Sequence, residues 1–284
     1  MRYSLAVVIL TLLMIGISNA QEANNEITPN EITTYKTVGD TSLSLHIFYP
    51  PDHSSDDRLP AIVFFFGGGF IYGSPKQFYR QSAYFASRGM VAISVEYRIT
   101  TKHGSSIVES LKDANSAMRW IKSHADVLGI NTNKLAAAGG SAGGLLAILL
   151  AAGNDFNEND DDLSISTRPE ALVLFNPQFE IAPELPTYEP ILDRRLEFSP
   201  MHNLSNYTPP TLVLHGTDDE FIPVSTVREF QRKMEQFGVR SDLHLYDGQP
   251  HEFYNKAKYY ETLCEVDKFL SSLGFLIGLK QQQE

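Results

Sequence analysis

The sequence predicts an α/β fold, a mostly parallel central sheet with helices on both faces, and three observations predict it. Short apolar runs without alternation recur along the chain, as in strands covered on both sides. Between them lie stretches with the 3.6-residue apolar period of helices that lay one face on a sheet. Strand and helix then alternate through the second half, which argues parallel order and a ligand crevice outside the carboxyl ends of the strands.

Residues 33–38 and 42–49 read as an opening hairpin, because Leu43, Leu45 and Ile47 alternate with polar residues and Gly39-Asp40 supplies the turn. A loop of Pro, Ser and Asp covers 50–60. Residues 61–66, Ala-Ile-Val-Phe-Phe-Phe, form the first unbroken apolar run and stop at Gly67-Gly68-Gly69. Residues 77–88 read as a helix ended by Gly89, and 90–95 as a buried strand running into Glu96-Tyr97-Arg98. In 107–125 the apolar residues Ile107, Leu111, Ala114, Met118 and Ile121 mark a helix with one face on the sheet. Residues 134–150 read as strand, sharp turn and helix.

Residues 154–170 are acidic and irregular, with Asp160-Asp161-Asp162, and read as a solvated surface loop rather than a lid or a cation site. A further buried strand at 171–175 is broken by Asn176-Pro177. The proline-rich stretch 178–210, which carries Arg194 and Arg195, is expected to lack regular structure and to lie over the active edge of the sheet. The remainder reads as strand 211–214, helix 224–237 stopped by Gly238, strand 241–246 and helix 256–273.

At 284 residues, 43% hydrophobic and 20% charged, the chain is long enough to bury a large core. No internal repeat or interdomain linker divides it, so residues 21–284 are expected to form a single catalytic domain. Residues 1–20 have the features of a secretory signal peptide: Arg2, an apolar run from Leu5 to Ile17, and small residues Ser18-Asn19-Ala20 before Gln21. The run is too short to span a bilayer comfortably. Its removal takes away Arg2 and moves the formal net charge from -11 to -12. So acidic a protein repels nucleic acid and anionic lipid. The lone cysteine, Cys264, excludes an intrachain disulfide and is expected to be core packing. A secreted or periplasmic protein, free of the membrane after cleavage, is expected.

Gly139-Gly140-Ser141-Ala142-Gly143 fits G-x-S-x-G, the pattern of a nucleophile elbow. A strained serine needs neighbours without side chains, because a Cβ two positions away on either side would meet the adjoining strand or helix. Alone, the pattern also fits a glycine-rich turn with an incidental serine, or a phosphate-binding turn. What separates these readings is whether an acid, a histidine and oxyanion donors accompany the serine. After the strand at 211–214, Asp218, Asp219 and Glu220 offer three carboxylates in a row. Of the eight histidines, His46 and His244 fall on strands, His124 on a helix, and His53, His103 and His202 in loops. His215 ends a strand beside the carboxylates, and His251 lies between the last strand and the last helix. Gly68 and Gly69 close the first buried parallel strand, where main chain can approach a ligand.

These stretches resemble the α/β-hydrolase superfamily, and within it the secreted carbohydrate esterases, acetyl xylan and feruloyl esterases related to hormone-sensitive-lipase-type enzymes. The resemblance covers nearly the whole chain after residue 20. It rests on Phe65-Phe66-Gly67-Gly68-Gly69-Phe70 with Gly73-Ser74, on Glu96-Tyr97-Arg98, on Asp113 and Ala117-Met118-Arg119-Trp120-Ile121, on Gly139 to Gly144, on Leu214-His215-Gly216-Thr217 with Asp219, and on His251 with Phe253. It implies an α/β-hydrolase fold with Ser141 as nucleophile, Asp219 rather than Asp218 as acid, and His251 as base, in the order that fold imposes. It also implies an oxyanion hole from the amides of Gly68, Gly69 and Ala142. Two positions depart from the relatives: Phe66 stands where they have histidine, and Glu252 where glycine often follows the catalytic histidine.

The implied reaction is hydrolysis of short acyl esters, acetyl above all, of small-molecule or polysaccharide carbohydrates through an acyl-enzyme. No cofactor is implied, and no histidine and carboxylate cluster has zinc-ligand spacing. Phe70, Tyr72 and Tyr97 fit either stacking on a sugar or feruloyl ring or packing in the core. A peptidase, formamidase or general carboxylesterase would use the same residues. A binding protein on a hydrolase scaffold usually lacks a triad member, and none is missing here.

Overall fold

The computed structural model describes residues 26–180 and 186–276; the segment 1–20, expected from the sequence to be a signal peptide, lies outside them. Eight strands form one sheet in the order β1-β2-β4-β3-β5-β6-β7-β8. They are β1 Glu31–Val38, β2 Thr41–Phe48, β3 Leu59–Phe65, β4 Val91–Val95, β5 Ile130–Gly140, β6 Ala171–Phe175, β7 Thr211–Gly216 and β8 Ser241–Tyr246. β1 pairs antiparallel with β2, and β2 with β4, while every pair from β4 to β8 is parallel. The register follows the sequence pattern: β2 alternates and turns Leu43, Leu45 and Ile47 inward, whereas β4, β6 and β7 are buried at every position. β8 is half-buried throughout, as an edge strand should be.

Five longer helices cover the sheet: α1 Tyr79–Ser87, α2 Ile107–Ser123, α3 Ala142–Ala152, α4 Val224–Gln236 and α5 Tyr259–Ser272. Arg88 and Tyr84, at the end of α1, both donate to Asp267 of α5. α2 starts where Ser106 and Glu109 cap each other's backbone amides. Its predicted face is fully buried. α3, apolar all round, packs between α2 and the sheet and is buried along nearly its whole length. Among the described residues no helix is long and apolar enough to cross a membrane.

Four expectations need correction. Residues 77–88 are not one helix, because Pro75 starts a 3-10 turn, Pro75–Phe78, before α1 begins. The stretch 178–210 does contain regular structure: a 3-10 helix Pro186–Arg194 and a single α-turn Pro200–Asn203. Pro186 and Pro200 take the first helical positions, where a missing N–H costs nothing, while Pro190 lies within the 3-10 helix. The acidic loop at 154–170 is only partly solvated. Glu158 accepts from Lys36 and Arg98, and Asp161 accepts from Arg119 and Ser116. Cys264 is exposed on α5, where the helical period turns Leu263 and Val266 inward instead.

Candidate active site

Gly68 and Gly69, Ser141 and Ala142, Asp219, and His251 follow the carboxyl ends of β3, β5, β7 and β8 respectively. Ser141 follows β5 with φ 53° and ψ -117°, a strained backbone for a residue with a side chain. Main-chain bonds hold it there: Ser141 N donates to Phe175 O at 2.9 Å, and Ser141 O accepts from Leu145 N and Gln178 N, each at 3.2 Å. The surrounding glycines are required sterically. A Cβ on Gly139 would enter the Gly143 backbone, one on Gly143 would enter the carbonyl of Phe65, and one on Gly140 would meet the hydroxyl of Tyr254. Thus strand and helix close on the serine from both sides, while Tyr254 brings the loop of His251 over the elbow.

The glycine triplet lies against the same turn, since a Cβ on Gly67 would sit 3.3 Å from the Cβ of Ser141. Gly68 and Gly69 take φ 122° and 63°, and Gly68 O closes a tight turn by accepting from the amides of Ile71 and Tyr72. The amide of Gly67 is occupied, donating to Gln77 Oε1 at 2.6 Å. Among the described residues no hydrogen bond takes the amides of Gly68, Gly69 or Ala142. Ala142 also opens α3, whose N-terminal dipole favours negative charge.

Asp219 has a fully buried side chain. Its Oδ1 accepts from the amides of Phe221 at 3.0 Å and Ile222 at 2.9 Å. Its Oδ2 accepts from His251 Nδ1 at 2.7 Å and from Asn176 Nδ2 at 2.6 Å. Burial pushes this carboxyl up, but His251 and the two amides outweigh it and hold it below the usual aspartate value. His215, fully buried, has its Nε2 at 3.0 Å from Ile222 O and so braces the turn; burial lowers its pKa. Asp218 and Glu220 are exposed, but Glu220 does not point away from the site: its Oε2 accepts from the main-chain amide of His251 at 3.2 Å.

Because the carboxylate can only accept, His251 Nδ1 is the donor of this bond, which fixes the tautomer of the neutral ring with its lone pair on Nε2. Ser141 makes only main-chain hydrogen bonds among the described residues, so the structure joins His251 to Asp219 directly and Ser141 to the glycine triplet by packing. Glu252 adopts φ 59°, which accounts for the glycine that relatives carry there. Phe66 stacks on Tyr97 with ring centroids 4.0 Å apart, filling with packing the place of the relatives' histidine. Phe70 and Tyr97 are fully buried and cannot stack on a substrate; of the three aromatic candidates Tyr72 alone is exposed.

Three residues that matter here escaped the sequence reading. Asn176 touches the acid, Gln77 holds the triplet, and Asn255 ties the histidine loop to Gln77 O at 3.3 Å and to Gln81 Nε2 at 2.6 Å. None left a specific signal: Asn176-Pro177 reads as a strand break, and the φ of 43° that asparagine tolerates is seen only in the structure.

Comparison with known proteins places these features in context. A model of the family BD-FAE matches residues 45–174, and a model of the prolyl oligopeptidase family matches residues 165–273. The esterase 2 of Thermogutta terrifontis phosphonylated by cyclosarin superposes with a TM-score of 0.84 at 38% identity, over 89% of this chain and 98% of that one. The same esterase with propionate bound gives 0.83 at 37% identity, over 92% and 100%. The probable carboxylic ester hydrolase LipM of Mycobacterium tuberculosis is 24% identical over 81% of this chain. The chain spans about half the length of the curated relatives it matches, 58% for that protein and 48% for the esterase LipC of the same organism.

Proposed function

The chain belongs to the α/β-hydrolase superfamily of esterases, and from that premise we propose that it hydrolyses short acyl esters, acetyl above all, of carbohydrates. The observation that carries the reading is the 2.7 Å pair of Asp219 and His251 on the sheet edge that also bears the strained Ser141 and three unoccupied amides.

In the proposed reaction Ser141 Oγ bonds to the ester carbonyl carbon while its proton passes to His251 Nε2. Asp219, ionised and buried, stabilises the imidazolium, and the amides of Gly68, Gly69 and Ala142 hold the oxyanion. The ester C–O bond then breaks, and the proton moves from His251 to the departing alcohol. Water repeats the sequence on the acyl-enzyme and returns the acid and free Ser141. Removing one oxyanion donor costs on the order of 10²- to 10³-fold in turnover in such sites.

A short acyl group is supported by the propionate bound to the Thermogutta esterase 2. The carbohydrate alcohol rests on the sequence resemblance described above. Export through the 1–20 leader belongs to the same proposal and predicts an exported protein beginning at Gln21. Initial rates on acetylated xylan, on p-nitrophenyl acetate against longer acyl chains, and on aminoacyl anilides test it. The proposal expects the acetyl esters to lead. A second reading, peptidase action, is favoured by the match of residues 165–273 to the prolyl oligopeptidase family, and preference for the anilides would establish it.

A further inference from the structure

We infer that Asn176 is a positioning residue for the acid: its amide sets the place and charge of Asp219 Oδ2, and through it the protonation of His251. The inference rests on the esterase reading above for its kinetic consequence, though not for its geometry.

Asn176 leaves β6 fully buried, with φ 43°. A side chain is held in that region only where its surroundings fix it. Its own amide donates to Leu214 O at 2.9 Å, which ties the turn after β6 to β7, the strand that delivers Asp219. Its Nδ2 then lies 2.6 Å from Asp219 Oδ2, the same oxygen that accepts from His251 Nδ1 at 2.7 Å. Because an ionised carboxylate only accepts, the amide nitrogen is the atom turned towards it. Asn176 Oδ1 is buried with no partner among the described residues, so the bond to Asp219 is the one hydrogen bond seen there for this side chain.

The chemistry follows from the shared oxygen. Each donor on Oδ2 draws off part of its charge, and a carboxylate relieved of charge attracts the imidazolium less. Asn176 therefore moderates how tightly a proton is held on His251 while keeping Oδ2 aimed at Nδ1. The other charged or titratable groups facing the pair are His215, 3.9 Å from Asp219 Oδ2 and bonded to Ile222 O, and Glu220, which accepts the main-chain amide of His251 at 3.2 Å. Glu252, next in sequence to His251, is paired with Lys256 at 3.6 Å. None of these donates to Oδ2.

The test uses the full-length protein with Asn176→Ala, Asn176→Asp and Ser141→Ala, followed by the pH profile of p-nitrophenyl acetate hydrolysis and by NMR titration of the His251 ring without substrate. Asn176→Ala should lower kcat by about ten-fold, leave KM near its value, and move the acid limb to higher pH by roughly half a unit, since the acid regains charge. A protonated aspartic acid donates as the amide does and an ionised one repels. Asn176→Asp should therefore keep activity above the acid limb while the new carboxyl is protonated and lose it at higher pH as that carboxyl ionises, which makes the profile bell-shaped. A merely structural residue would lower activity without moving either profile or the NMR titration. An unchanged acid limb and His251 titration in Asn176→Ala overturn the inference. If that variant does not fold, the near-isosteric Asn176→Asp decides alone: a bell-shaped profile upholds the inference and an unchanged profile overturns it. If Ser141→Ala is as active as the parent while the His251 titration still shifts in the Asn176 variants, it is the esterase reading that fails and the positioning role that stands.

Discussion

Around Ser141 the spare room is so small that glycine is a steric requirement. Gly139 faces the first turn of α3 and Gly143 faces the carbonyl of Phe65 at the end of β3, and in both places the obstacle is backbone. Backbone cannot rotate away as a side chain can. Replacing Gly143 by alanine is therefore expected to cost about 1–3 kcal/mol in stability and to displace Ser141. Calorimetry should register a melting point lower by several degrees, together with loss of esterase activity; an unchanged melting point would show that the elbow has slack. These glycines were legible in the sequence because their reason is local, two residues either side of a serine. Asn176 was not, because its partner Asp219 lies 43 positions away and an Asn-Pro pair after a strand reads first as a break. For Phe70 and Tyr97 the sequence left stacking and core packing both open, and burial decides for packing: closeness in sequence to the glycine triplet and to a strand end says nothing of which way a ring points.

Between elements, the site depends on polar ties that no periodicity announces. Gln77, in the 3-10 turn before α1, takes the amide of Gly67 and offers its carbonyl to Asn255, four residues after His251. One residue thus anchors both the glycine triplet and the histidine loop. Gln77→Ala leaves a partly buried N–H unpaired and loosens both. Steady-state kinetics should show kcat reduced by about ten-fold with the fold intact, and equal kcat in the two proteins would remove Gln77 from this role. On the other side of the sheet, Glu158 anchors the acidic loop to Lys36 and Arg98. Burial pushes its carboxyl up, but the hydrogen bonds and charges of Lys36, Arg98 and Lys112 outweigh it and bring it down to about 2. A depressed folded value stabilises above the unfolded value near 4.3 and is lost as pH falls towards the folded one. Glu158→Gln should therefore melt below the parent at neutral pH and converge with it as pH drops from about 4.5 towards 2. A gap that persisted at pH 2 would mean the ion pairs are not its source. Strand positions were legible because burial on both faces writes itself as an apolar run. The proline-rich 178–210 stretch was not, since proline forbids helix interiors yet favours helix starts, and short turns carry no period.

For the molecule as a whole, one buried carboxylate joins distant parts of the chain. Asp113 of α2, with no exposure, accepts from Lys36 of β1 at 2.6 Å and from Arg98, just past β4, at 2.7, 2.8 and 2.9 Å. Asp113→Ala would leave Lys36 and Arg98 with only the partly exposed Glu158 as a shared carboxylate, at an expected cost of up to about 3–5 kcal/mol. Denaturant unfolding should report a loss of that order; a loss under about 1 kcal/mol would show the network to be replaceable. The parallel order of the sheet, by contrast, sets the function. It delivers Ser141, Asp219, His251 and the glycine triplet to a single edge from four different strands, which is why the order of elements already pointed to a hydrolase before any distance was known. The most direct measurement of that claim is to treat the protein with paraoxon and locate the adduct by peptide mass spectrometry, beside the hydrolysis rate of Ser141→Ala. Covalent catalysis from the elbow predicts one stoichiometric phosphoryl group on Ser141 and a fall in rate on the order of 10⁶-fold in the variant. An adduct on another residue, or a variant that still hydrolyses p-nitrophenyl acetate at the parent rate, would contradict it.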